Sequence, residues 1–442
     1  MRIRLGIPMK LSDIAGCIDG KLYSQDKQIT HITTDTRDIC SGDLFWAIGN
    51  GCNFLADAHN NGAYTLASSG EANIITPYEE AALLKLAENY AKKLPYILYS
   101  IGVTGSVGKT TTKEFLKIIL SERYKVHANT GNYNNQIGLP LSILSAPMET
   151  QILIMEMGMN HKGEIKSLAK CLNPDIGIIT NIGTAHIGML GSRDAIAEAK
   201  LEILSGSKEC QLFIPYDESL LKKGLGEMTV SISNLNSDYT IMRHEEWISL
   251  FSHSENICTA SFSLLEDHYL NDLSFALSIG AYLGMTTEEL EASVTRISSN
   301  NTRQSVISKG NYKFVTDYYN ASYESVIALI RTAENKKNHS KKSLVIGDIL
   351  ELGEHTEQIH INVGEAIGRS GFSQVFLFGK HMKYVERGIK NVKSQSAKTY
   401  INLDLNRPDI TANQIKENCS TEELIYMKAS RGVMLERILE YF

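Results

Sequence analysis

The middle of the chain alternates short apolar runs with stretches of helical periodicity. Residues 97–103, 151–158 and 175–183 are apolar runs typical of buried strands, and helical patterns are present at 163–171 and 193–206. Alternation of this kind predicts an α/β fold whose parallel sheet carries helices on both faces. In such sheets ligands bind at the carboxyl ends of the strands, so we expect candidate chemistry at that edge.

The flanking sections are also mixed α/β, and 442 residues are too many for a single core. Short strands and helices precede a break at Leu94-Pro95-Tyr96. A polar stretch at 298–304 is followed by a hairpin pattern around Gly310 and by three strand segments that alternate with helices. This last section is typical of a Rossmann-like unit without a glycine fingerprint. We therefore expect three domains, at residues 1–95, 96–299 and 300–442.

A glycine-rich loop, GVTGSVGKTT at 102–111, connects the first central strand to a helix. It is not a strict Walker A motif, because Val103 stands where that motif requires its first glycine. The physical parts remain: glycines for close backbone approach, Lys109 for the β/γ phosphates and the Thr110 hydroxyl for Mg²⁺. A simple glycine-rich turn would not explain Lys-Thr-Thr. We expect a phosphate-binding site formed by Thr104, Gly105, Ser106, Val107, Gly108, Lys109, Thr110 and Thr111.

Polar residues stand where the next two predicted strands end. Glu156 could hold Mg²⁺ together with Thr110, or it could cap a neighbouring turn. Asn181 and His186 follow the other strand, and His186 could be a metal ligand or a structural histidine. Both pairs of alternatives stay open on these residues alone.

A lysine interrupts the apolar stripe of the helix predicted at 193–206. With Ser192 as the N-cap, Ile196, Lys200 and Ile203 fall on one helix face. A lysine in this position can snorkel its ammonium group to solvent. If it is buried, its pKa falls, and the neutral amine can react with CO₂ to give a carbamate that binds metal as a carboxylate does.

The segment GNYNNQIGLP, residues 131–140, places three asparagines between glycines. They could form a tight turn, because Asn and Gly tolerate left-handed backbone. The side-chain amides of Asn134 and Asn135 could instead hold phosphate or carboxylate oxygens.

Composition excludes several classes of protein. The net charge of −6 and a pI near 6.1 argue against nucleic acid as a partner. The seven cysteines are scattered without a Cys-x-x-Cys pair, so we expect neither a disulfide framework nor a zinc site, and a cytoplasmic location fits. The N-terminus lacks the apolar core of a signal peptide, and no apolar run is long enough for a membrane span.

Nine segments, in chain order, together resemble the Mur ligase family, and the resemblance covers nearly the whole chain. The segments are TDTRDICSGDLFWAI, GVTGSVGKTTTKEF, GNYNNQIGLPLSIL, EMGMNHKGEI, TNIGTAHI, GSRDAIAEAKLEIL, DYYNASYESV, GDILELGE and YMKASRG. Any one of them could arise by chance, whereas all nine in this order are highly specific.

The resemblance implies a three-domain, ATP-dependent amide ligase that acts in peptidoglycan precursor synthesis. The N-terminal domain would bind a UDP-muramoyl-peptide, the central domain ATP with two Mg²⁺ ions, and the C-terminal domain D-alanyl-D-alanine. The acyl carboxylate would first become an acyl phosphate. We expect small-molecule partners only, and a monomer.

The resemblance also implies roles for individual residues. Lys109 and Arg303 would neutralise the phosphoryl group in transfer, and Asn271 and Asp317 would contact adenine and ribose. The metal ligands would be Thr110, Glu156, His186 and a carbamylated Lys200. The substrate-binding residues would be Thr36, Arg37, Asn134, Asn135, Asn320, Lys428, Ser430 and Arg431.

Two departures from the family pattern bear on the substrates. The stretch NGCNFLADAHNNGA lacks the family's Asp-Gly-His, and Ser322-Tyr323 replaces Asn-Pro. A paralogue with another acyl donor or amine acceptor on the same scaffold is therefore an alternative. A non-Mur amide ligase, such as a polyglutamate-type enzyme, is a further one. A nucleotide-dependent switch is a third class, but the nearest match to its Asn-Lys-x-Asp motif ends in Asn338.

Overall fold

The protein is described here by a computed structural model. It describes residues 1–221, 229–232, 237–262, 267–299, 305–317, 320–335, 341–392 and 397–442. These residues form three β-sheets in chain order, each packed with helices. The predicted α/β class with three such units is confirmed.

The first sheet has the strand order β1-β3-β4-β5-β6-β2. Its strands are β1 (Arg2–Lys10), β2 (Lys21–Leu22), β3 (Gln28–Thr33), β4 (Leu44–Trp46), β5 (Tyr64–Ala67) and β6 (Ile74–Ile75). The helices of this section are α1 (Leu11–Cys17), α2 (Leu55–Asn60) and α3 (Glu79–Lys93), with 3₁₀ turns at Thr36–Asp38 and Gly49–Phe54.

The central sheet has the strand order β15-β14-β13-β12-β11-β10-β7-β9-β8. Its strands are β7 (Tyr99–Thr104), β8 (Val126–Ala128), β9 (Ile152–Glu156), β10 (Ile176–Ile179), β11 (Gln211–Pro215), β12 (Thr229–Ile232), β13 (Tyr239–His244), β14 (Trp247–Ser252) and β15 (Glu255–Ser261). Its helices are α4 (Lys109–Leu120), α5 (Gly138–Leu144), α6 (Glu164–Leu172), α7 (Ile187–Leu190), α8 (Arg193–Leu201), α9 (Asp267–Tyr282) and α10 (Thr287–Ser299), with a 3₁₀ turn at Glu202–Ser205.

The predicted parallel sheet is confirmed for the strands that carry the predicted chemistry. Strand β7 lies between β9 and β10 and is parallel to both, with Val103 opposite Glu156 and Thr104 opposite Ile179. The sheet also extends through an antiparallel meander of β13, β14 and β15, which the sequence patterns did not predict.

The third sheet has the strand order β16-β17-β21-β18-β19-β20. Its strands are β16 (Ser305–Lys309), β17 (Tyr312–Asp317), β18 (Lys342–Gly347), β19 (Gln374–Phe378), β20 (Lys398–Asn402) and β21 (Leu424–Lys428). Its helices are α11 (Tyr323–Asn335), α12 (Thr356–Arg369), α13 (Met382–Asn391) and α14 (Pro408–Asn418), with 3₁₀ turns at Gly353–His355, Arg431–Val433 and Leu435–Tyr441. The predicted hairpin is β16 and β17, and the remaining strands pair in parallel.

The buried core is continuous between the first and central sheets. Helix α3 packs against α5 and α6, and its fully buried Tyr90 donates a hydrogen bond from Oη to the Ala146 carbonyl at 2.7 Å. This contact fixes the first section against the helix that follows the asparagine-rich segment. In the part of the chain that the structure describes, no helix is both long and apolar enough to cross a membrane.

Candidate active site

The glycine-rich loop has the strand–loop–helix geometry of a phosphate site. Strand β7 ends at Thr104 and α4 begins at Lys109, so the loop lies at the N-terminus of a helix. The Lys109 ammonium donates to the carbonyls of Gly105 at 2.7 Å and Ser106 at 3.2 Å, which keeps its charge over the loop. Val103, the departure from the Walker A pattern, is a fully buried strand residue that lies opposite Glu156 on the adjacent strand β9.

Two glycines of the loop are required by its backbone and its surroundings. Gly105 has φ +150° and Gly108 has φ +84°, a region that L side chains rarely adopt. A Cβ atom on Gly105 would lie 1.9 Å from Thr180 Oγ1, and one on Gly108 would lie 2.2 Å from Asp272 Oδ1. The chain therefore brings β10 and α9 close against the loop.

Asn181 holds the loop in place through its side chain. Its Oδ1 accepts from the backbone N–H groups of Ser106 at 3.0 Å and Val107 at 2.9 Å. Nearby, Ser106 Oγ accepts from the Gly183 N–H at 2.9 Å, so the 180–183 segment and the loop form one hydrogen-bonded unit. The sequence placed Asn181 at this edge but assigned no partner to it.

Glu156 is buried at the end of β9, and its two carboxylate oxygens differ in their hydrogen bonding. Oε1 accepts from Asn134 Nδ2 at 2.8 Å, whereas the buried Oε2 has no partner among the residues that the structure describes. Asn129 fixes the backbone of Glu156, because its amide accepts from the Glu156 N–H and donates to the Glu156 carbonyl. A buried anionic oxygen without a donor is costly, so the site favours a cation there.

His186 has a strained backbone conformation and lies beside a carboxylate from the third section of the chain, the part that forms the third sheet. Its φ is +65°, which is uncommon for a residue other than glycine. Its Nδ1 lies 2.7 Å from Glu351 Oε2. Burial lowers the pKa of His186, and the positive charges of Lys109 and Lys200 lower it further against the opposing effect of Glu351. The imidazole is therefore neutral near pH 7 and can offer a lone pair to a metal.

Lys200 is buried on α8, which is one of the two alternatives that its position in the apolar stripe left open. Only 1% of its surface is exposed, and the predicted N-cap is confirmed, since Ser192 Oγ accepts from the Ala195 N–H. Burial, with a smaller contribution from Lys109, lowers the pKa of Lys200 well below its ordinary value. Among the described residues its amine has no hydrogen-bond or ion-pair partner. The snorkelling alternative is therefore wrong.

The asparagine-rich segment serves the site and the fold at once. Asn134 bonds to Glu156, whereas Asn135 Oδ1 accepts from the N–H groups of Ile137 and Gly138 at the start of α5. The interpretation as a turn residue therefore applies to Asn135. Asn134 instead holds the carboxylate of Glu156, the candidate metal ligand.

The predicted nucleotide and acceptor residues lie in two places. Asn271 is exposed on α9, which packs on α4 beside the loop. In the third section, Asp317 Oδ2 accepts from the buried Lys428 Nζ at 2.7 Å, so these two predicted contacts form one pair. Arg303 lies outside the described residues.

Three more of the predicted substrate-binding residues lie near this pair along the chain: Asn320, Ser430 and Arg431. Ser430 Oγ accepts from the Leu350 N–H at 3.0 Å, which links the segment after β21 to the segment that carries Glu351. Asn320 and Arg431 are exposed, and Arg431 forms an ion pair with Glu436.

Thr36 and Arg37 lie in the first section, in the 3₁₀ turn Thr36–Asp38. The exposed Arg37 pairs with Asp35 at 2.6 Å. A cavity of about 450 Å³ is lined by residues of this section and of the central one, among them Asp38, His127 and Tyr133. The cavity therefore reaches from the neighbour of Arg37 to the neighbour of Asn134.

The candidate metal ligands offer oxygen atoms, from Thr110 and Glu156, and a ring nitrogen, from His186. In the described ranges no three His, Cys, Asp or Glu side chains cluster as a metal site. Hydroxyl and carboxylate oxygens, such as those of Thr110 and Glu156, are the ligands that Mg²⁺ prefers, whereas a neutral imidazole, such as that of His186, is a more usual ligand of transition metals.

Comparison with known proteins identifies the family and the fold of the chain. Residues 103–280 match the Mur ligase middle domain, and residues 302–431 match the Mur ligase, glutamate ligase domain. The UDP-N-acetylmuramoyl-tripeptide--D-alanyl-D-alanine ligase of Bacillus subtilis (strain 168) is 33% identical over 455 aligned residues, covering 98% of each protein.

Two solved structures have the same fold. A MurF ligase from Thermotoga maritima in complex with ADP has a TM-score of 0.80 and 28% identity, over 93% of this chain and 96% of that one. A MurF structure from Acinetobacter baumannii has a TM-score of 0.86 over 99% of this chain and 100% of that one. Its identity of 24% shows the common fold alone.

Proposed function

This chain belongs to the Mur ligase family, and from that premise we propose that it is an ATP-dependent amide ligase of peptidoglycan precursor synthesis. It joins the amine of D-alanyl-D-alanine to the terminal carboxylate of a UDP-N-acetylmuramoyl-tripeptide. Support for these substrates is the similarity to the Bacillus subtilis ligase of that name along 98% of the chain.

One structural observation carries the proposal. The phosphate loop and a buried carboxylate with an unbonded oxygen occupy the same edge of the central sheet, because Val103 of β7 faces Glu156 of β9. This edge joins a site for ATP phosphates to a site for the cation that accompanies them.

The reaction has two steps in which atoms and charges balance. A carboxylate oxygen of the acyl substrate bonds to the γ-phosphorus of ATP, and the bond from that phosphorus to the β–γ bridging oxygen breaks, releasing ADP. The amine nitrogen then bonds to the acyl carbon, the carbon–oxygen bond to phosphate breaks, and the proton that the nitrogen loses passes to the departing phosphate. The first step is needed because a free carboxylate is a poor acyl donor.

The residues of the loop bind and orient the phosphates. Lys109 holds positive charge over the loop, and the start of α4 directs backbone N–H groups at an anion. Arg303 would add positive charge from the third section. Asn271 and Asp317 would hold the adenine and ribose, so that the γ-phosphate lies at the carboxyl end of β7.

Mg²⁺ would be held by Thr110, Glu156 and His186, where it would neutralise phosphate charge and align the γ-phosphate. Asn134 orients the Glu156 carboxylate through Oε1, which leaves Oε2 for the cation. The strained backbone of His186 keeps its imidazole at this edge.

We infer that Lys200 carries a carbamate, which would hold a second Mg²⁺. The neutral amine bonds to the carbon of CO₂ and loses a proton, which replaces a buried amine by a carboxylate-like group. Support comes from its burial and from the absence of a partner among the described residues. The contrasting lysine is Lys113, which is equally buried but donates to the Asn129 carbonyl at 2.6 Å and pairs with Glu114.

The substrate side of the proposal uses the cavity and the third section. Thr36 and Arg37 would bind the uridine end of the acyl substrate, and Asn134 and Asn135 its peptide end. The acceptor dipeptide would contact Asn320, Lys428, Ser430 and Arg431. The cavity supports this division, since it connects the first section with the asparagine-rich segment.

We propose domain boundaries at 95/96 and 299/300, between the three sheets, and a monomeric enzyme. The use of ATP and seven unpaired cysteines support a cytoplasmic location.

The test is a phosphate-release assay with purified protein, Mg²⁺, ATP, UDP-N-acetylmuramoyl-tripeptide and D-alanyl-D-alanine. We expect phosphate only when all components are present, together with a product heavier by the dipeptide less one water. Equal ATP hydrolysis without an acyl or amine substrate would contradict a ligase.

A second candidate is a ligase of the same mechanism with another acyl donor or amine acceptor. The observation that favours it is Ser322, which is buried before α11 and bonds to Ser325 where the family has asparagine followed by proline. ADP formation that requires a different acyl donor or amine in the same assay would support this candidate.

A further inference from the structure

Glu324 joins the third section to the segment that carries His186. It lies in the first turn of α11, and both of its carboxylate oxygens accept from one residue of the central section. Thr184 donates from its backbone N–H to Oε1 at 2.8 Å and from Oγ1 to Oε2 at 3.1 Å. Two charge-assisted hydrogen bonds to a single residue fix both its position and its orientation.

The neighbouring glycine leaves room for this contact and is itself bonded to the phosphate loop. A Cβ atom on Gly183 would lie 2.7 Å from the carboxyl carbon of Glu324, so a larger residue there would displace the carboxylate from its present position. The Gly183 N–H donates to Ser106 Oγ in the phosphate loop. Adjacent residues of the central section are thus bonded to α11 on one side and to the loop on the other.

The same segment bears on the rest of the nucleotide site. Asn181 holds the loop N–H groups of Ser106 and Val107, and His186 follows Thr184 by two residues. A change in the position of Thr184 would therefore move both the loop and the candidate metal ligand.

We propose that Glu324 is a positioning residue: by holding Thr184, it sets the geometry of the phosphate loop and of His186 when the third section docks. The inference rests on the proposed function, because it assigns Glu324 a role in ATP binding and phosphoryl transfer. A carboxylate that merely stabilised the contact between sections would affect unfolding but would leave ATP binding unchanged.

The experiment compares Glu324→Gln, Glu324→Ala and Glu324→Asp with a matched control, Glu334→Gln. Glu334 is an exposed carboxylate on the same helix. The dissociation constant for ATP is measured by calorimetry with Mg²⁺ and no other substrate, and KM and kcat are measured in the ligase assay. Hydrogen exchange of residues 105–108 and 180–187 reports the geometry directly.

We expect Glu324→Gln and Glu324→Ala to weaken ATP binding and raise the KM for ATP by about tenfold, the loss expected for a charge-assisted hydrogen bond. Amide exchange in both segments becomes faster, and Glu324→Asp recovers part of the affinity because it retains the charge. The control behaves as wild type.

Wild-type ATP affinity, KM and exchange in Glu324→Gln and Glu324→Ala would overturn the proposal, as would the same losses in the control. Failure of the proposed function gives a different result. In that case the wild-type protein forms no amide with any acyl and amine pair, while the calorimetric comparison of ATP binding still reports on Glu324.

Discussion

Lys109 is the residue whose charge the phosphate site needs most directly. We expect Lys109→Ala to lower ATP-dependent ligation by about 10²- to 10³-fold, because it removes a positive group from the phosphoryl in transfer. The fold should remain, since Lys109 is only partly buried and its ammonium bonds to loop carbonyls. Ligation rate and melting temperature are measured together.

The matched control for this prediction is Lys117→Ala, which removes an exposed lysine from the same helix. It should ligate as wild type does. Normal turnover by a folded Lys109→Ala enzyme would remove Lys109 from the site.

Lys200 provides a second prediction for a single side chain. Carbon-13 NMR of the wild-type protein in carbon-13-labelled bicarbonate should show a carbamate signal that is absent from Lys200→Ala. Lys200→Arg should be inactive, because arginine keeps its positive charge and does not react with CO₂. Short carboxylic acids should restore part of the activity of Lys200→Ala by occupying the space of the carbamate. An active Lys200→Arg enzyme would contradict the carbamate.

Some of these residues could be predicted from the sequence, and others could not. Lys200 was recognisable because one lysine broke an apolar stripe, and Glu156 because one acid ended an apolar strand. Asn129, Glu324 and Glu351 had no such signal, since their roles depend on partners that folding brings close. Glu324 and Thr184 are separated by 140 positions along the chain.

At the level of elements, the patterns predicted the buried parallel strands and missed a half-buried meander. Strands β7, β9 and β10 are continuous apolar runs because helices cover both faces. The meander turns instead at Glu245, His253 and Ser254, which have positive φ although none is Gly or Asn. The usual hairpin signal is therefore missing from these turns.

Helix α3 offers a test of how the first section is attached. We expect Tyr90→Phe to lower the free energy of unfolding by about 1–3 kcal/mol, because the Ala146 carbonyl loses its donor in a buried place. Denaturant unfolding measures this difference, and Tyr78→Phe, at an exposed tyrosine just before the helix, should be neutral. Equal stability of Tyr90→Phe and wild type would show that the contact contributes nothing.

The pH dependence of this difference has a defined sign. Burial raises the pKa of Tyr90 from 10.0 to about 12, so the neutral phenol is favoured in the folded protein. Its contribution to stability is therefore complete below pH 10 and is lost as pH rises through about 12. The stability difference between wild type and Tyr90→Phe should shrink over that interval.

At the scale of the whole molecule, one segment of the central section, residues 184–191, forms hydrogen bonds with the third section. Thr184 bonds to Glu324, the Gly188 N–H donates to the Glu351 carbonyl, and the Gly191 carbonyl lies 3.3 Å from His355 Nε2. The sequence predicted separate sections but not this contact, because its residues follow no periodic pattern. The position of the contact beside His186 lets docking of the third section bear on the nucleotide site.

The central claim is that the protein activates a carboxylate with the γ-phosphate of ATP. The most direct test labels both oxygens of the terminal carboxylate of UDP-N-acetylmuramoyl-tripeptide with oxygen-18 and analyses the released phosphate by mass spectrometry. If an acyl phosphate forms, each phosphate released with the amide product carries one labelled oxygen, and ADP carries none. Unlabelled phosphate accompanying the amide product, or phosphate whose new oxygen comes from water, would contradict the account.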